Sequence, residues 1–356
     1  MSTTMRPKAS LKKSIQRKRE EVDLTAIRLT TESYFSPDNT LPLIIQPAIE
    51  GVNLANWASN NLDYIREQLA IHGGILFRNF HLDSAEKFEN FARTIGNELF
   101  DEYGDLPREN PGSKVYGSTP YPADKSILFH NESSHMHRWP MKIFFYCVKP
   151  AEKGGATPII DCRKIYQQLD PAIIKKMSEK KLLYVRNFVN GLDVSWQQFF
   201  QTANKAAVEA YCRRAGIEYE WKENDQLSTR QLCNAVSRHP HTGEMLFFNQ
   251  VQLHHISCLD ASTRDSILSM FDEKDLPRNV YYGDGSPIEG AIMDEINALY
   301  DQLAVRFQWQ ATDVIMLDNM MVSHSRDPFE GTRKIMVAMA EIISQDELPS
   351  IQYCGQ

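Results

Sequence analysis

The segment Asp318-Asn-Met-Met-Val-Ser-His324-Ser-Arg326-Asp-Pro-Phe-Glu-Gly-Thr-Arg333 lies between two apolar runs near the end of the chain. The run before it, residues 314–317, and the run after it, residues 334–343, are rich in Val, Ile and Met, and each predicts a buried strand. His324 therefore follows one predicted strand, and Arg333 begins the next. Polar side chains at such strand ends can converge on a functional site.

Strands are predicted to dominate the half of the chain that leads up to this segment. The predicted strands are residues 75–80, 141–149, 156–161 and 182–188, and a hairpin of 232–238 with 245–248. The predicted helices are residues 56–72, 84–95, 170–180, 196–215, 262–271 and 288–307. Because helices do not alternate one for one with strands, a doubly wound parallel sheet is disfavoured. The prediction is a mainly β protein with inserted and flanking helices, in the α+β class.

Composition limits the function classes that fit. The chain has 356 residues, a formal charge of −7 and 42% hydrophobic residues, which is enough for a substantial core. The acidic balance argues against nucleic-acid binding. No apolar run is long enough to span a membrane, and no apolar secretion signal opens the chain, so a cytoplasmic protein is expected. The six cysteines are irregularly spaced without a C-x-x-C pair, which favours reduced thiols.

The first 22 residues form a basic tail, and residues 23–356 are predicted to form a single domain. Seven Lys and Arg residues precede the first acidic residue, Glu20. Such a block is usually a solvated tail, although a docking arm for an acidic partner and a targeting peptide are alternatives. Residues 101–125 are rich in Gly, Pro and Asp and are predicted to form a loop over a site. The sequence does not indicate an oligomeric state.

One histidine–carboxylate pair suggests metal chemistry. His130 and Glu132 lie two residues apart in Phe129-His-Asn-Glu, so on a strand they would share one face. With His324 they would form a two-histidine, one-carboxylate triad, which holds Fe(II) and leaves positions open for cosubstrate and dioxygen. Arg333 offers a fork for a carboxylate. Other histidines remain candidates at this point: His135, His137, His239, His241, His254 and His255.

Several segments together resemble the TauD/TfdA family of Fe(II)/2-oxoglutarate-dependent oxygenases, and most closely its clavaminate-synthase-like branch and the syringomycin-pathway aspartyl hydroxylase type. Their order and spacing fit that family over about residues 50 to 343. The matching segments are His-Gly-Gly-Ile-Leu-Phe-Arg-Asn-Phe (72–80), Tyr-Pro-Ala-Asp-Lys-Ser-Ile-Leu-Phe-His-Asn-Glu (121–132), Lys-Gly-Gly-Ala-Thr-Pro-Ile-Ile-Asp (153–161), Ser-Arg-His-Pro-His-Thr-Gly-Glu (237–244), Phe-Asn-Gln (248–250) and the segment 318–333 quoted above.

The resemblance implies a double-stranded β-helix, or jelly roll, with helices packed around it. It implies that His130, Glu132 and His324 bind the iron, and that Arg333 and Thr157 hold the far carboxylate of 2-oxoglutarate. Dioxygen is the second cosubstrate, and succinate and CO₂ are released. The cofactor and iron supply the difficult chemistry, while the protein supplies orientation and a dry pocket.

Two departures from the family pattern bear on the substrate. Many relatives carry a second arginine where this chain has Val337, and Arg326 is the candidate to replace it as a substrate contact. Halogenating relatives have a small residue in place of Glu132, so hydroxylation is favoured over halogenation. The expected substrate is an amino acid or an amino-acid-derived unit in specialised metabolism, either free or tethered to a carrier protein.

Other functions are weighed against hydroxylation. The same cofactor chemistry could be diverted to desaturation, epoxidation or cyclisation. A zinc hydrolase could use the same three ligands with one activated water, but it would leave Arg333 and Thr157 without a role. A non-catalytic jelly roll that binds a ligand is the third alternative, and an intact triad argues against it.

Overall fold

The computed structural model describes residues 29–100, 114–117, 121–189 and 194–349. The predicted basic tail lies outside these ranges, as do residues 101–113 and 118–120 of the predicted loop. The strands are β1 (Thr30–Ser33), β2 (Leu43–Pro47), β3 (Gly74–Phe77), β4 (Tyr116–Gly117), β5 (Ile127–His130), β6 (Arg138–Lys149), β7 (Lys153–Gly154), β8 (Ile159–Asp161), β9 (Leu182–Phe188), β10 (Glu218–Lys222), β11 (Gln226–Cys233), β12 (Ser237–Arg238), β13 (Met245–Leu246), β14 (Arg278–Tyr282), β15 (Val314–Asp318), β16 (Val322–Arg326), β17 (Phe329–Glu330) and β18 (Lys334–Ser344). The helices are α1 (Leu54–Ser59), α2 (Leu62–His72), α3 (Ala85–Gly96), α4 (Cys162–Gln168), α5 (Pro171–Lys180), α6 (Trp196–Phe199), α7 (Lys205–Ala215), α8 (Val251–His254), α9 (Ala261–Met270) and α10 (Gly290–Leu303).

A seven-stranded sheet, in the order β1-β2-β3-β15-β6-β18-β4, forms the base of the structure. Its central strands bury both faces. In β18, Val337 and Met339 enter one hydrophobic cluster, whereas Met336 and Ala338 enter another on the opposite face. Successive residues of a strand point to opposite faces of the sheet. Because both faces of β18 are buried, nearly every residue of this strand is apolar. The second cluster is covered by α1, α2 and α3.

A three-stranded sheet, in the order β5-β16-β8, lies on the other side of the first cluster. Ile159 of β8 and Val322 of β16 pack into the same cluster as Phe145 of β6 and Ile335 of β18. The core between the two sheets is therefore shared, and the polar residues at the ends of β5 and β16 lie at its edge.

A third sheet contains four strands, in the order β10-β11-β9-β14, and two further pairs, β12-β13 and β17-β7, form two-stranded sheets. Helices α4, α5 and α10 contribute to the cluster on one part of the four-stranded sheet, and α6 and α7 to a separate cluster that includes Phe188, Trp196 and Leu227. The predicted combination of dominant strands with inserted helices is confirmed. None of the helices in the described ranges is both long and apolar enough to cross a bilayer.

Three predicted elements are divided in the structure. The helix predicted over residues 56–72 is α1 and α2, with Asn60 and Asn61 between them. The helix predicted over residues 196–215 is two helices, because Gln201 adopts a left-handed φ of 51° and Asn204 caps α7 by accepting from the backbone N–H groups of Ala206 and Ala207. The strand predicted over 232–238 is also divided. β11 ends at Cys233 and pairs with β9 and β10, while only β12 pairs with β13.

Candidate active site

The register of β5 and β16 brings two histidines together. His130 is the direct antiparallel partner of His324, and the centroids of their rings are 4.3 Å apart. Residues opposite each other in an antiparallel pair point to the same face, so both imidazoles face the same space. Nδ1 of His130 lies 2.7 Å from the carbonyl oxygen of Leu128. Since a carbonyl can only accept, Nδ1 donates this hydrogen bond, and Nε2 is the ring nitrogen left to face a metal.

The side chain of Glu132 faces the same space as the two histidines, but it does so from a turn and not from the strand that the sequence predicts. β5 ends at His130, so Glu132 lies in the turn that follows rather than on a shared strand face. The side chain of Asn319 fixes this turn. Its Oδ1 accepts from the backbone N–H of Glu132 at 2.7 Å, and its Nδ2 donates to the carbonyl oxygens of Glu132 and Pro140 at 2.9 and 2.8 Å. Ser133 follows with a left-handed φ of 56°, which turns the chain away from the site.

The three side chains form a compact donor set. Oε2 of Glu132 lies 4.0 Å from Nε2 of His130 and 3.9 Å from Nε2 of His324. These distances are too long for hydrogen bonds and leave space between the donor atoms. Burial, with a smaller contribution from His130, lowers the pKa of His324 well below its usual value, so the imidazole stays neutral, as metal binding requires. Two neutral imidazoles and one carboxylate are the donors that non-haem Fe(II) takes.

No other group of three such ligands exists within the ranges that the structure describes. Histidines that the sequence leaves as alternatives lie elsewhere. His239 pairs with Asp318, with 3.1 Å between Nε2 and Oδ2. His135 packs against His254, with ring centroids 5.0 Å apart.

Arg333 and Thr157 line the same small cavity as the triad. Nη2 of Arg333 donates to Oγ1 of Thr157 at 3.2 Å, and its Nε donates to the carbonyl oxygen of Gly155 at 2.9 Å. Trp309 donates to the same Thr157 oxygen at 3.1 Å. Gly155 has a left-handed φ of 70°, and a Cβ there would lie 3.0 Å from Cδ of Arg333, so this contact favours glycine.

The electrostatics of Arg333 fit a carboxylate ligand. Within the described ranges, no carboxylate lies at salt-bridge distance from its guanidinium. Burial, reinforced by the positive charge of Arg326, lowers the pKa of Arg333 to about 10. A buried cation without a counter-ion is unfavourable, and an anion bound beside it removes that cost. The cavity therefore combines a donor set suited to a metal ion with a cation suited to a carboxylate.

Arg326 lines the cavity too, but most of its guanidinium is engaged by the backbone. Nη1 donates to the carbonyl oxygen of Tyr121 at 3.1 Å, and Nη2 donates to those of Pro122 and Lys125, each at 2.5 Å. Its Nε is buried without a hydrogen-bond partner. Arg326 thus fastens residues 121–125 beside the cavity. Val337, where relatives carry a second arginine, contributes an apolar wall.

Comparison with known proteins identifies the class. Residues 38–339 match the family described as "Taurine catabolism dioxygenase TauD, TfdA family". The chain belongs to this family. It is an iron- and 2-oxoglutarate-dependent, non-haem dioxygenase, and the expectations of family, enzyme class and cofactors are confirmed.

Individual relatives refine this placement. The chain is 37% identical over 291 residues to the dapdiamide synthesis protein DdaC of Enterobacter agglomerans, covering 81% of this chain and 88% of that protein. It is 28% identical over 320 residues to a clavaminate synthase-like protein of Arabidopsis thaliana, covering 86% and 92%. Among solved structures, PvcB of Pseudomonas aeruginosa shares the fold at 14% identity, with a TM-score of 0.53 and coverage of 90% and 94%.

Proposed function

We propose that this enzyme hydroxylates an unactivated carbon of an amino acid or an amino-acid-derived unit in specialised metabolism. His130, Glu132 and His324 would hold Fe(II), and Arg333 with Thr157 would hold the far carboxylate of 2-oxoglutarate. The observation that carries this assignment is the convergence, in one cavity, of a histidine pair, a carboxylate and a largely buried arginine without a carboxylate partner among the described residues.

The bound iron and 2-oxoglutarate supply the oxidising chemistry, and the chain supplies the arrangement. The hydrogen bond from His130 to Leu128 keeps the metal-facing nitrogen free, and Asn319 sets the position of Glu132. Arg333 orients the cosubstrate, because two directed donors discriminate in geometry as well as charge. Glu132 occupies the place that halogenation would need, and this supports hydroxylation.

The substrate class rests on the resemblance to amino-acid hydroxylases and on the relative named for dapdiamide synthesis. A carrier-tethered substrate is part of the proposal, since Val337 leaves no arginine on this strand for a free carboxylate. Arg326 would contribute to substrate binding through Nε, the one donor atom that its backbone contacts leave over. The basic tail, residues 1–22, would meet an acidic carrier by electrostatic steering.

We also propose the finer architecture that the family implies. The seven-stranded and three-stranded sheets would be the two halves of a double-stranded β-helix, which the shared core between them supports. Residues 23–356 would form one domain. A cytoplasmic location stays a prediction.

The decisive experiment measures bound metal and the release of succinate from 2-oxoglutarate. Free amino acids and the same residues loaded on a carrier protein are offered, with and without residues 1–20, and the product mass is recorded. A gain of one oxygen atom is expected. Turnover of a simple sulfonate with no turnover of any amino-acid form would contradict the substrate class, and a chlorinated product would contradict the role of Glu132.

A further inference from the structure

Two hydrogen-bond donors meet the hydroxyl of Thr157. Nε1 of Trp309 donates to Oγ1 of Thr157 at 3.1 Å, and Nη2 of Arg333 donates to the same oxygen at 3.2 Å. An indole N–H and a guanidinium N–H can only donate, so Oγ1 accepts in both contacts. Thr157 is 3% exposed and Trp309 is 6% exposed, so water does not compete for these hydrogen bonds.

These two contacts determine how the hydroxyl can act. A hydroxyl has two lone pairs that accept and one hydrogen that donates. Both lone pairs of Oγ1 are in use, so the remaining capacity of Thr157 is to donate. Among the described residues, no acceptor receives that hydrogen. Because Thr157 lines the cavity of the triad, a bound group that accepts the hydrogen completes its bonding.

Arg333 adds further donors to the same cavity and no acceptor. A guanidinium has five N–H groups. The one at Nε donates to the carbonyl oxygen of Gly155 at 2.9 Å, and one at Nη2 donates to Thr157. The other three have no hydrogen-bond partner among the described residues. Arg333 and Thr157 together therefore offer only donors, and an ionised carboxylate is the group that only accepts.

Trp309 is held in place by packing and by the backbone around it. Its ring packs against that of Phe307, with centroids 5.0 Å apart and an interplanar angle of 64°. Ile159 and Val305 exchange two backbone hydrogen bonds of 3.0 and 2.9 Å, which tie the segment after Thr157 to the segment before Trp309. The indole N–H therefore meets the hydroxyl from a fixed direction.

We propose that Trp309 is a positioning residue for 2-oxoglutarate, and that it acts by keeping the Thr157 hydroxyl a donor toward the far carboxylate. Its N–H occupies the lone pair that Arg333 leaves, so the hydroxyl cannot turn and accept. Trp309 is not among the residues that line the cavity, so it acts through Thr157. This inference rests on the proposed function, because it concerns the cosubstrate site assigned there.

The expected consequence is selectivity at the far end of the cosubstrate. A carboxamide has the size of a carboxylate, but its NH₂ group needs an acceptor, and Arg333 and Thr157 offer none. The matched probes are N-oxalylglycine and N-oxalylglycinamide, which keep the cosubstrate skeleton and differ only at this group. Their dissociation constants are measured by calorimetry on the full chain with Fe(II), without oxygen. The ratio of the two constants is the preference for the carboxylate.

The wild type is expected to bind N-oxalylglycine at least about tenfold more tightly than the amide, as a charge-assisted contact implies. Trp309→Phe should lower this preference about 3–10-fold, the range that one net hydrogen bond contributes. The physical reason is that a freed lone pair of Thr157 then accepts from the amide. Fe(II) affinity should stay the same, because Trp309 does not contact the triad.

A second variant, Thr157→Val, removes the hydroxyl at nearly equal volume. It should also lower the preference, because the carboxylate loses a donor. Adding Trp309→Phe to Thr157→Val should lower the preference no further, since the indole acts only through the hydroxyl. A role of Trp309 in packing alone would not produce this dependence on Thr157.

The matched control is Trp139→Phe. Trp139 is buried in the same hydrophobic cluster as Trp309, and its Nε1 has no hydrogen-bond partner. Both tryptophan variants should lower the melting temperature, because each removes buried apolar surface. Only Trp309→Phe should lower the preference for the carboxylate.

Three results would overturn the inference: an unchanged preference in Trp309→Phe, an equal loss in Trp139→Phe, or a further loss when Trp309→Phe is added to Thr157→Val. Should Trp309→Phe fail to fold, an unchanged preference in Thr157→Val overturns the inference and a lowered one supports it. The visible absorption band of the Fe(II)–2-oxoglutarate complex is recorded on the wild type. Its absence would refute the proposed function itself, whereas a normal band with an unchanged preference in Trp309→Phe refutes only the role of Trp309.

Discussion

Two pairs of histidines, each with one buried and one partly buried ring, include residues on either side of the turn at Ser133, and they differ in what surrounds them. The rings of His130 and His324 face Glu132, whose carboxylate lies within 4.0 Å of both. The rings of His135 and His254 pack against Tyr184. Burial is the main cause that lowers the pKa values of His135 and His254. The charges of Arg186 and Arg278 lower both values further.

A pair of neutral imidazoles does not by itself make a metal site. Burial keeps His324 neutral in the first pair and both rings neutral in the second. Among the described residues, the carboxylate that completes a donor set is present only beside the first pair. The second pair lies near Arg186 and Arg278, whose charges oppose its protonation.

The largest expected effect tests this contrast directly. His130→Ala or His324→Ala should abolish the visible band that forms when Fe(II) is titrated anaerobically with 2-oxoglutarate, because two protein ligands cannot hold the ion in a facial set. His135→Ala is the matched control and should keep the band. Loss of the band in His135→Ala with retention in His130→Ala would show that the wrong pair has been assigned to the metal.

The second largest expected effect is on the binding of 2-oxoglutarate by Arg333. Arg333→Ala should weaken 2-oxoglutarate binding by about 2–5 kcal/mol, part of which comes from leaving the carboxylate unpaired. Arg333→Lys keeps the charge without the fork and should be intermediate. Arg214→Ala, which removes an exposed arginine of α7, should leave 2-oxoglutarate affinity unchanged. An unchanged affinity in Arg333→Ala would remove Arg333 from the site.

A smaller effect is expected from the residue that positions Glu132. Asn319→Ala removes three hydrogen bonds and should lower Fe(II) affinity about 10–100-fold, as loss of an outer partner of a metal ligand commonly does. The matched control is Asn249→Ala, because the side chain of this asparagine, which is also buried, bonds Ala235 and Val251 and not the turn at Glu132. Both variants should lower the melting temperature, but only Asn319→Ala should lower metal affinity. Equal metal affinities in the two variants would mean that Asn319 is merely structural.

The contrast also shows what sequence could and could not predict. His130, Glu132, His324 and Arg333 stand in motifs that can be read directly, and the two-residue period of β18 reveals a strand buried on both faces. The placement of Glu132 was predicted for the wrong reason, because a sequence does not show where the pairing of β5 with β16 stops. Asn319 carries no local signal, since its partners are distant in the chain.

The break between α6 and α7 escapes prediction for a related reason. The helix predicted over 196–215 spans Gln201, whose left-handed φ interrupts the helical geometry. The cavity lined by these two helices and by the turn after Glu132 follows from tertiary packing, which helical periodicity cannot reveal.

The smallest expected effect is on the acid stability of the second pair. Because the folded-state pKa of His135, about 3, lies below the unfolded value of about 6.5, the unfolded chain takes up the proton first as the pH falls. The stabilisation by neutral His135 is complete above about pH 6.5 and is lost progressively toward pH 3. At pH 5.5 the loss should be about 1 kcal/mol. His135→Gln should therefore flatten the acid side of the stability curve, measured by urea unfolding between pH 7 and pH 5, without changing Fe(II) affinity. His81→Gln, at an exposed histidine, should leave the slope as it is, and the same slope in His135→Gln as in the wild type would mean that folding does not lower the pKa of His135.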